Sequence, residues 1–236
     1  MDSTWIRDIL KPVLIPVHRE GYLFIWIFAV ATALFGFFWP WSLVVGGLLT
    51  VWCIFFFRNP DRVTPLGDGL VIAPADGVIQ MIREVSPPVE LALGKEPLTR
   101  ISIFMNVFNV HVNRIPIDGV VINTRYHPGK FFNASLDKAS LHNERMALTL
   151  ETDAGARIGC VQIAGLVARR IVCDVSPGDA VRAGQRFGLI RFGSRVDIYL
   201  PRGTAALVCE NQTAIGGETL LAILGSDAAP RQGESR

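Results

Sequence analysis

The sequence has few charges and few cysteines, and both scarcities exclude classes of function. Only 19% of the residues are charged and the net charge is +2, with no Lys/Arg-rich run interleaved with aromatics. Nothing therefore indicates binding to nucleic acid. The four cysteines form no C-x-x-C pair and no Cys/His ligand spacing. Neither a zinc site nor a disulfide framework is predicted, and we expect buried, reduced thiols in a cytosol-facing protein.

Charge is missing altogether from a 36-residue stretch, Tyr22–Phe57. A membrane-spanning helix needs about 20 apolar residues, so the stretch is too long for one span and short for two. Pro40 breaks helical hydrogen bonding near the middle, which predicts two helices at Leu23–Phe38 and Trp41–Phe57. We expect a membrane hairpin that either crosses the bilayer or re-enters one leaflet. A buried hairpin in a soluble core is the alternative, although soluble helices rarely lack a polar face over this length.

Basic residues flank this apolar stretch on both sides: Arg7, Lys11, Arg19, Arg58 and Arg62. The positive-inside rule then predicts that both flanks are cytoplasmic. Residues 1–20 form an amphipathic segment that we expect on the membrane surface. A cleaved signal peptide is not expected, because the apolar stretch is too long and begins too far from residue 1.

The sequence pattern of the rest of the chain is typical of a β protein. Short β-rich runs occur at residues 69–73, 77–82, 100–105, 119–123, 146–150, 157–163 and 170–173. Many short strands at close spacing predict a mostly β barrel or sandwich. We therefore expect a membrane helical hairpin at 21–57, a β-rich domain at 58–225 and a disordered polar tail at 226–236.

The stretch from Val175 to Ile190 contains two glycine turns between strands. It resembles the hairpin of biotinyl/lipoyl-type barrels and of lysostaphin-type zinc endopeptidases. A biotinyl or lipoyl carrier needs an exposed lysine at a hairpin tip, and no lysine follows Lys138. The endopeptidases need a His-x-His pair, whereas His111 is followed by valine and then Asn113. Both functions are therefore disfavoured.

Gly193-Ser194 follows this stretch directly and is followed by another strand-like run. The Phe-Gly-Ser-Arg sequence around it resembles the processing site of short bacterial and archaeal phosphatidylserine decarboxylases. Other motifs similar to this family occur in the family's order: Ala73–Gly77, Val110–Pro116, Tyr126–Lys130, Asn143–Arg145 and Val175–Asp179. The resemblance covers residues 58 to 222.

This resemblance implies that the chain cuts itself between Gly193 and Ser194, giving chains 1–193 and 194–236. Ser194 would become a covalent pyruvoyl group that decarboxylates phosphatidylserine to phosphatidylethanolamine at the cytoplasmic face of the cell membrane. Glycine suits such a cut because it permits unusual backbone angles and leaves the carbonyl open to the hydroxyl. The two chains would form a heterodimer, and pairing of heterodimers is plausible. A membrane-tethered adaptor or carrier-like barrel without enzymatic activity is the alternative.

By the same resemblance His111 is the base that activates Ser194, and Asp76 orients the imidazole. The chain departs from the family's His-x-x-His pattern, because Phe108 and Arg114 occupy the positions three residues from His111. One histidine then serves both self-cleavage and carbanion protonation, or another group takes over one task.

The remaining site candidates are substrate-binding residues. Arg114 and Lys130 are predicted partners for the phosphate or carboxylate of the head group. His127 is a further candidate, either for substrate binding or for the task of the absent second histidine. The accepted range of serine lipids, including ether-lipid analogues, stays open at this point.

Overall fold

The computed structural model describes residues 15–130, 142–165, 170–191, 193–226, 228–231 and 233–234. Most of the predicted amphipathic segment, residues 1–14, and parts of the predicted tail lie outside the described residues. The chain divides into two compact units, Met1–Asp61 and Arg62–Arg236. Each unit is described by itself.

The first unit is a pair of helices. Helix α1 spans Tyr22–Phe38 after a 3-10 turn at Arg19–Gly21, and helix α2 spans Ser42–Phe56. Both lie within one residue of the predicted bounds at each end. With its 3-10 turn, the first helix forms a 20-residue apolar segment that is long enough to cross a membrane, and 6% of its most apolar window is buried. This apolar segment is consistent with membrane association.

The two helices run antiparallel and approach closely through small residues. A Cβ on Gly46 would lie 2.3 Å from the Thr32 hydroxyl oxygen, and one on Gly36 would lie 2.2 Å from a Leu43 methyl carbon. Small residues allow helix backbones to approach in this way in membrane proteins. An antiparallel bridge between Val17 and Arg58 joins the two ends of the pair.

Large apolar side chains cover the outside of this hairpin. The most exposed, between 67% and 85%, are Trp26, Phe37, Phe38, Trp41, Val44 and Leu48. Water-soluble proteins rarely present an apolar surface of this extent, because its hydration is unfavourable. The exposed apolar surface of the first unit is consistent with membrane association.

The second unit is built from strands. They are β1 Leu70–Ile72, β2 Gly77–Val85, β3 Leu98–Met105, β4 Val112–Arg114, β5 Gly119–His127, β6 Arg145–Glu151, β7 Arg157–Ala164, β8 Ile171–Cys173, β9 Ala180–Val181, β10 Arg186–Ile190, β11 Ser194–Leu200, β12 Thr213–Ala214 and β13 Leu220–Ile223. Each of the seven predicted β runs overlaps one of these strands. The mostly β fold with an N-terminal helical hairpin is confirmed.

The strands form three sheets. The largest has the order β12-β2-β3-β11-β7-β6-β5-β9, a second has the order β4-β10-β8, and β1 pairs with β13. The sheets curl around one apolar core to which β3, β7, β10 and β11 all contribute. In the stretch at 175–190, β9 pairs with β5 while β10 pairs with β4 and β8, so its two strands join different sheets.

Strand β11 lies at the centre of the largest sheet and is buried on both faces. Its side chains alternate, so Ser194, Val196 and Ile198 share the face that packs into the core. The opposite face carries Arg195 and Asp197, whose guanidinium and carboxylate lie 2.9 Å apart with neither exposed. A buried pair of this kind is costly to separate, because each charge would then lack its partner away from water. The start of β11 is therefore a rigid position.

Candidate active site

Ser194 is the first residue of β11 and is fully buried. In the sheet it lies opposite Met105 of β3 and Ala164 of β7. Its hydroxyl donates to the Met105 sulfur across 3.9 Å. Because a thioether is a weak acceptor, this contact does not hold the hydroxyl strongly. Ser194 therefore keeps a hydroxyl that can change partners although the residue is fully buried.

Gly193, which precedes it, is fixed at both of its peptide groups. Its N–H donates to Nε2 of His111 at 3.3 Å, and its carbonyl oxygen accepts from the Gly165 N–H at 3.1 Å. Its φ of +76° lies in the left-handed region that favours glycine. Beyond its chain neighbours, no described atom lies within 4 Å of the position that a Cβ would take, so the backbone angle rather than space selects glycine here.

The contacts of His111 define its tautomer. Nδ1 lies 3.0 Å from the carbonyl oxygen of Asn109, which can only accept, so Nδ1 carries the proton. Nε2 accepts from the Gly193 N–H and so presents a lone pair toward the Gly193-Ser194 segment. His111 is fully buried and comes just before β4. His111 thus lies beside the Gly193 peptide, and its role as the base stays a prediction.

Asp76 comes directly before β2 and is half-buried. One carboxylate oxygen pairs with Arg62 at 2.7 Å, and the other accepts from the Gly216 N–H at 2.8 Å. The segment around Asp76 runs beside β4, because the Arg114 N–H donates to the Pro74 carbonyl at 2.8 Å. The Arg62 partner was not foreseen from the sequence. The orienting role of Asp76 toward His111 stays a prediction.

The three substrate-binding candidates occupy different environments. Arg114 is buried and donates to the Gly184 carbonyl at 2.7 Å, which is a contact within the fold. His127 lies 3.1 Å from Glu90, which also pairs with Arg145. Lys130 is exposed, and its main chain forms an isolated bridge with Asn143.

Electrostatics in the Glu90 cluster favour the ionised carboxylate. Burial alone would raise the pKa of Glu90, but a backbone hydrogen bond, Arg145 and His127 together lower it. The cluster attaches a short 3-10 turn, Val89–Leu91, to β5 and β6, since Asn123 donates to the Glu90 carbonyl at 2.6 Å. These contacts give His127 a structural partner, and its role toward substrate stays a prediction.

Sequence reasoning missed a second group of residues near Ser194. This group consists of the end of β7 at Ala164 and the segment that contains Asn143. The Asn143 side chain donates to the Ala164 carbonyl at 2.7 Å, and the Ala164 N–H donates to the Glu144 carbonyl at 2.9 Å. Asn143 and Glu144 were part of a recognised motif, but no role followed from their spacing. A backbone amide such as that of Gly165 carries no sequence signal at all.

Two further buried amides lie beneath the site. Gln162 of β7 donates to the Asn113 side-chain oxygen at 2.8 Å, and Asn113 donates to the Met105 sulfur at 3.8 Å. Met105 is also the residue that Ser194 contacts. The serine is therefore connected to a polar cluster inside an otherwise apolar core.

A cavity of about 550 Å³ is present in another part of the fold. Acidic residues line it, among them Asp68, Asp118 and Asp153, and it shares no lining residue with the surroundings of Ser194 described above. Its negative charge would repel an anionic head group. We do not assign it to a phospholipid substrate.

Comparison with known proteins identifies the family. The family model described as phosphatidylserine decarboxylase matches residues 49–222. The chain belongs to the phosphatidylserine decarboxylase family. The match includes both sides of the Gly193-Ser194 bond, and it confirms the family predicted from the motifs.

Individual relatives agree with this assignment. The chain is 58% identical to proteins named phosphatidylserine decarboxylase proenzyme from Rickettsia typhi and Rickettsia prowazekii, over 89% of this chain and 90% of theirs. It is 57% identical to the protein of the same name from Paramagnetospirillum magneticum, over 97% of this chain and 95% of that protein. The word proenzyme implies a processing step in those relatives, which an adaptor without enzymatic activity would not explain.

The backbone of Gly193 gives a prediction that is independent of chemistry. In a Ser194→Ala background, Gly193→Ala should lower the free energy of unfolding by about 1–2 kcal/mol, because alanine is strained at positive φ. Gly203 also has a positive φ and open space around its Cβ position, so Gly203→Ala should cost about the same. Gly193→Asn should recover part of the loss, since asparagine tolerates this region. Thermal and urea unfolding measure the effect, and an unchanged stability for Gly193→Ala would contradict it.

Proposed function

We propose that this chain decarboxylates phosphatidylserine to phosphatidylethanolamine, using a pyruvoyl group that it makes from Ser194 by cutting itself after Gly193. The observation that carries the proposal is the arrangement of the Gly193 peptide. It combines a left-handed glycine, an imidazole whose Nε2 accepts from the Gly193 N–H, and a buried serine hydroxyl with a weak partner. Family membership independently supports the decarboxylase activity.

The cut follows from these groups. In the proposed cut, Nε2 of His111 exchanges the Gly193 N–H for the Ser194 hydroxyl and takes its proton. The Ser194 oxygen bonds to the Gly193 carbonyl carbon. The bond from that carbon to the Ser194 nitrogen then breaks, and the nitrogen takes up the proton, which leaves an ester. Loss of the Ser194 Cα proton and cleavage of its Cβ–O bond release the Gly193 carboxylate. Water then replaces the Ser194 nitrogen, which leaves as ammonia, so that residue 194 becomes pyruvoyl.

The residues around Ser194 fit such a group. A pyruvoyl ketone at position 194 would supply the electron sink that an α-amino carboxylate needs in order to lose CO2. Position 194 begins a strand that is paired on both sides, so the new end of the chain would stay ordered. The buried, largely apolar surroundings would limit access of water and strengthen electrostatic interactions with the substrate.

The two chains should remain together after the cut. Residues 194–236 contain β11, which lies between β3 and β7, and also β12 and β13, which pair with β2 and β1. Separation would break these ladders and expose the core face of β11. We propose a stable heterodimer of chains 1–193 and 194–236. The same proposal allows two heterodimers to pair.

Three residues are proposed to contact the substrate. Lys130 is exposed on the segment that bridges to Asn143, close in the fold to the Ala164–Gly165 strand end. This supports Lys130 as a partner for the head-group phosphate. Arg114 and His127 are proposed for the same role, although their described contacts are with Gly184 and Glu90.

The central prediction is the cut itself. Wild-type protein should contain a C-terminal chain of 43 residues, about 4.7 kDa by its share of the 25.9 kDa chain, whose first residue is blocked to Edman degradation because a pyruvoyl group has no amine. Ser194→Ala should stay one inactive chain. Ser226→Ala is the matched control, because Gly225-Ser226 also pairs a positive-φ glycine with serine. Intact mass spectrometry decides: an uncut wild type with full decarboxylase activity would refute the pyruvoyl mechanism.

A second prediction concerns His111 and Asp76. General-base catalysis typically contributes about 10²–10⁴-fold, so His111→Ala should slow the cut by that order. Asp76→Asn should slow it as well, because it removes a negative charge that we propose stabilises the imidazolium formed when His111 takes up the proton. The control is His18→Ala, in the first unit, which should cut at the wild-type rate. A gel time course of freshly synthesised chain measures the rates, and normal cutting in both the His111 and Asp76 variants would show that the base lies elsewhere.

A third prediction tests the membrane topology. We propose that both flanks of the hairpin lie in the cytoplasm, as their basic residues indicate. In a variant without native cysteines, Thr4→Cys and Val63→Cys should react with an impermeant maleimide only after the cells are opened. Ser42→Cys, beside the turn, should react in intact cells if the hairpin crosses the bilayer and should stay protected if it is re-entrant. Labelling of positions 4 and 63 from opposite sides would overturn the hairpin.

A further inference from the structure

The carbonyl oxygen of Gly193 is the atom that gains negative charge when the Ser194 hydroxyl attacks. One described hydrogen bond reaches it, from the Gly165 N–H at 3.1 Å. Backbone donors aimed at such an oxygen stabilise the tetrahedral intermediate of acyl transfer, because they are already oriented when the charge develops. Gly165 therefore occupies the position of an oxyanion donor for the proposed self-cleavage.

The orientation of this donor depends on the peptide unit to which it belongs. The Gly165 N–H and the Ala164 carbonyl are parts of one planar peptide group and point in opposite directions. The Ala164 carbonyl accepts the Asn143 side-chain N–H at 2.7 Å. A contact that fixes the carbonyl at one end of the plane therefore fixes the direction of the N–H at the other end.

The Asn143 side chain can fix the direction of the Ala164 carbonyl. It is fully buried, and the residue after it holds the same strand end, because the Glu144 carbonyl accepts from the Ala164 N–H at 2.9 Å. Strand β7 ends at Ala164, directly opposite Ser194 in the β7–β11 register. The Gly165 N–H continues this register by one more bond, to the Gly193 carbonyl. The Asn143 side chain holds the carbonyl on the opposite side of the same peptide plane.

We propose that the Gly165 N–H is the oxyanion donor of the self-cleavage reaction and that Asn143 is the residue that positions it. The proposal rests on the proposed function, since it concerns the same cut. It also gives the Asn143-Glu144-Arg145 segment a role, which its resemblance to the family left unassigned. The described side-chain contact of Asn143 is with the Ala164–Gly165 peptide, so Asn143 acts on the reacting carbonyl through that peptide.

A purely structural role of Asn143 would predict a different result from the positioning role. Another asparagine in the chain provides a matched control. Asn123 likewise donates its side-chain N–H to a main-chain carbonyl, that of Glu90, at 2.6 Å. It lies on β5, and its bond to Glu90 is not among the described contacts of Gly193, Ser194 or Gly165. Asn→Asp at either position keeps the shape of the side chain but replaces the donor with a carboxylate that repels the carbonyl.

The experiment compares self-cleavage of freshly translated full-length chain in the two variants, followed by gel and intact mass. Loss of an oxyanion donor costs on the order of 10²–10³-fold in rate, so displacement of the Gly165 N–H in Asn143→Asp should slow cutting by about 10-fold or more. Asn123→Asp should cut within about 2-fold of wild type. Thermal unfolding of both variants in the Ser194→Ala background shows whether each still folds.

The pH dependence provides a readout that loss of packing alone would not move. The carboxyl group introduced by Asn143→Asp can again donate to the Ala164 carbonyl when it is protonated, and burial raises its pKa above the ordinary value of about 3.9. The ratio of variant to wild-type cutting rates should therefore rise as the pH falls. Asn143→Gln, which keeps an N–H donor, should cut faster than Asn143→Asp if it folds.

Each outcome has a clear meaning. Wild-type chain that does not cut refutes the proposed function itself. If wild type cuts and Asn143→Asp cuts equally fast, or is slowed no more than Asn123→Asp, the positioning role is wrong. A slow Asn143→Asp variant whose rate relative to wild type does not change with pH would likewise overturn the hydrogen-bond explanation.

Discussion

The pairing of β11 between β3 and β7 is the constraint on which the rest of the site depends. This pairing buries Ser194 at the first position of the strand and brings Met105 and Ala164 to either side of it. Both faces of β11 are covered, one by the apolar core and the other around the Arg195–Asp197 pair. A strand held in this way cannot shift its register without moving every side chain to the wrong face.

The proposed reaction takes place at the peptide just before β11. Gly193 sits just outside the strand with a left-handed backbone, and its two peptide groups are held by His111 and Gly165. A rigid strand next to a glycine that is held at both peptide groups fixes the Gly193 carbonyl relative to the Ser194 side chain. The proposed chemistry uses this boundary between ordered ladder and constrained turn.

The two units of the chain differ in where they place apolar and polar side chains. The hairpin presents an apolar, uncharged surface that suits a bilayer, whereas the β unit keeps its polar chemistry in a closed core. The departure from the His-x-x-His pattern at His111 is accompanied by other polar groups near the serine, the amides of Asn113 and Gln162. A side-chain amide forms hydrogen bonds but does not transfer protons, so neither residue takes over the task of the second histidine.

The sequence by itself determined those features that depend on local composition. Uncharged residues and Pro40 predict the two helices within one residue at each end, short β-rich runs predict seven strands, and motif order predicts the family. Tertiary structure decided what depends on contacts between distant segments. Three examples are the Asp76–Arg62 pair, the hydrogen bond from Asn143 to the Ala164 carbonyl, and the hydrogen bond from the Gly165 N–H to the Gly193 carbonyl. No local sequence pattern predicts that these residues lie close together. A backbone N–H is common to almost all residues, so only the fold could give this one a distinct position.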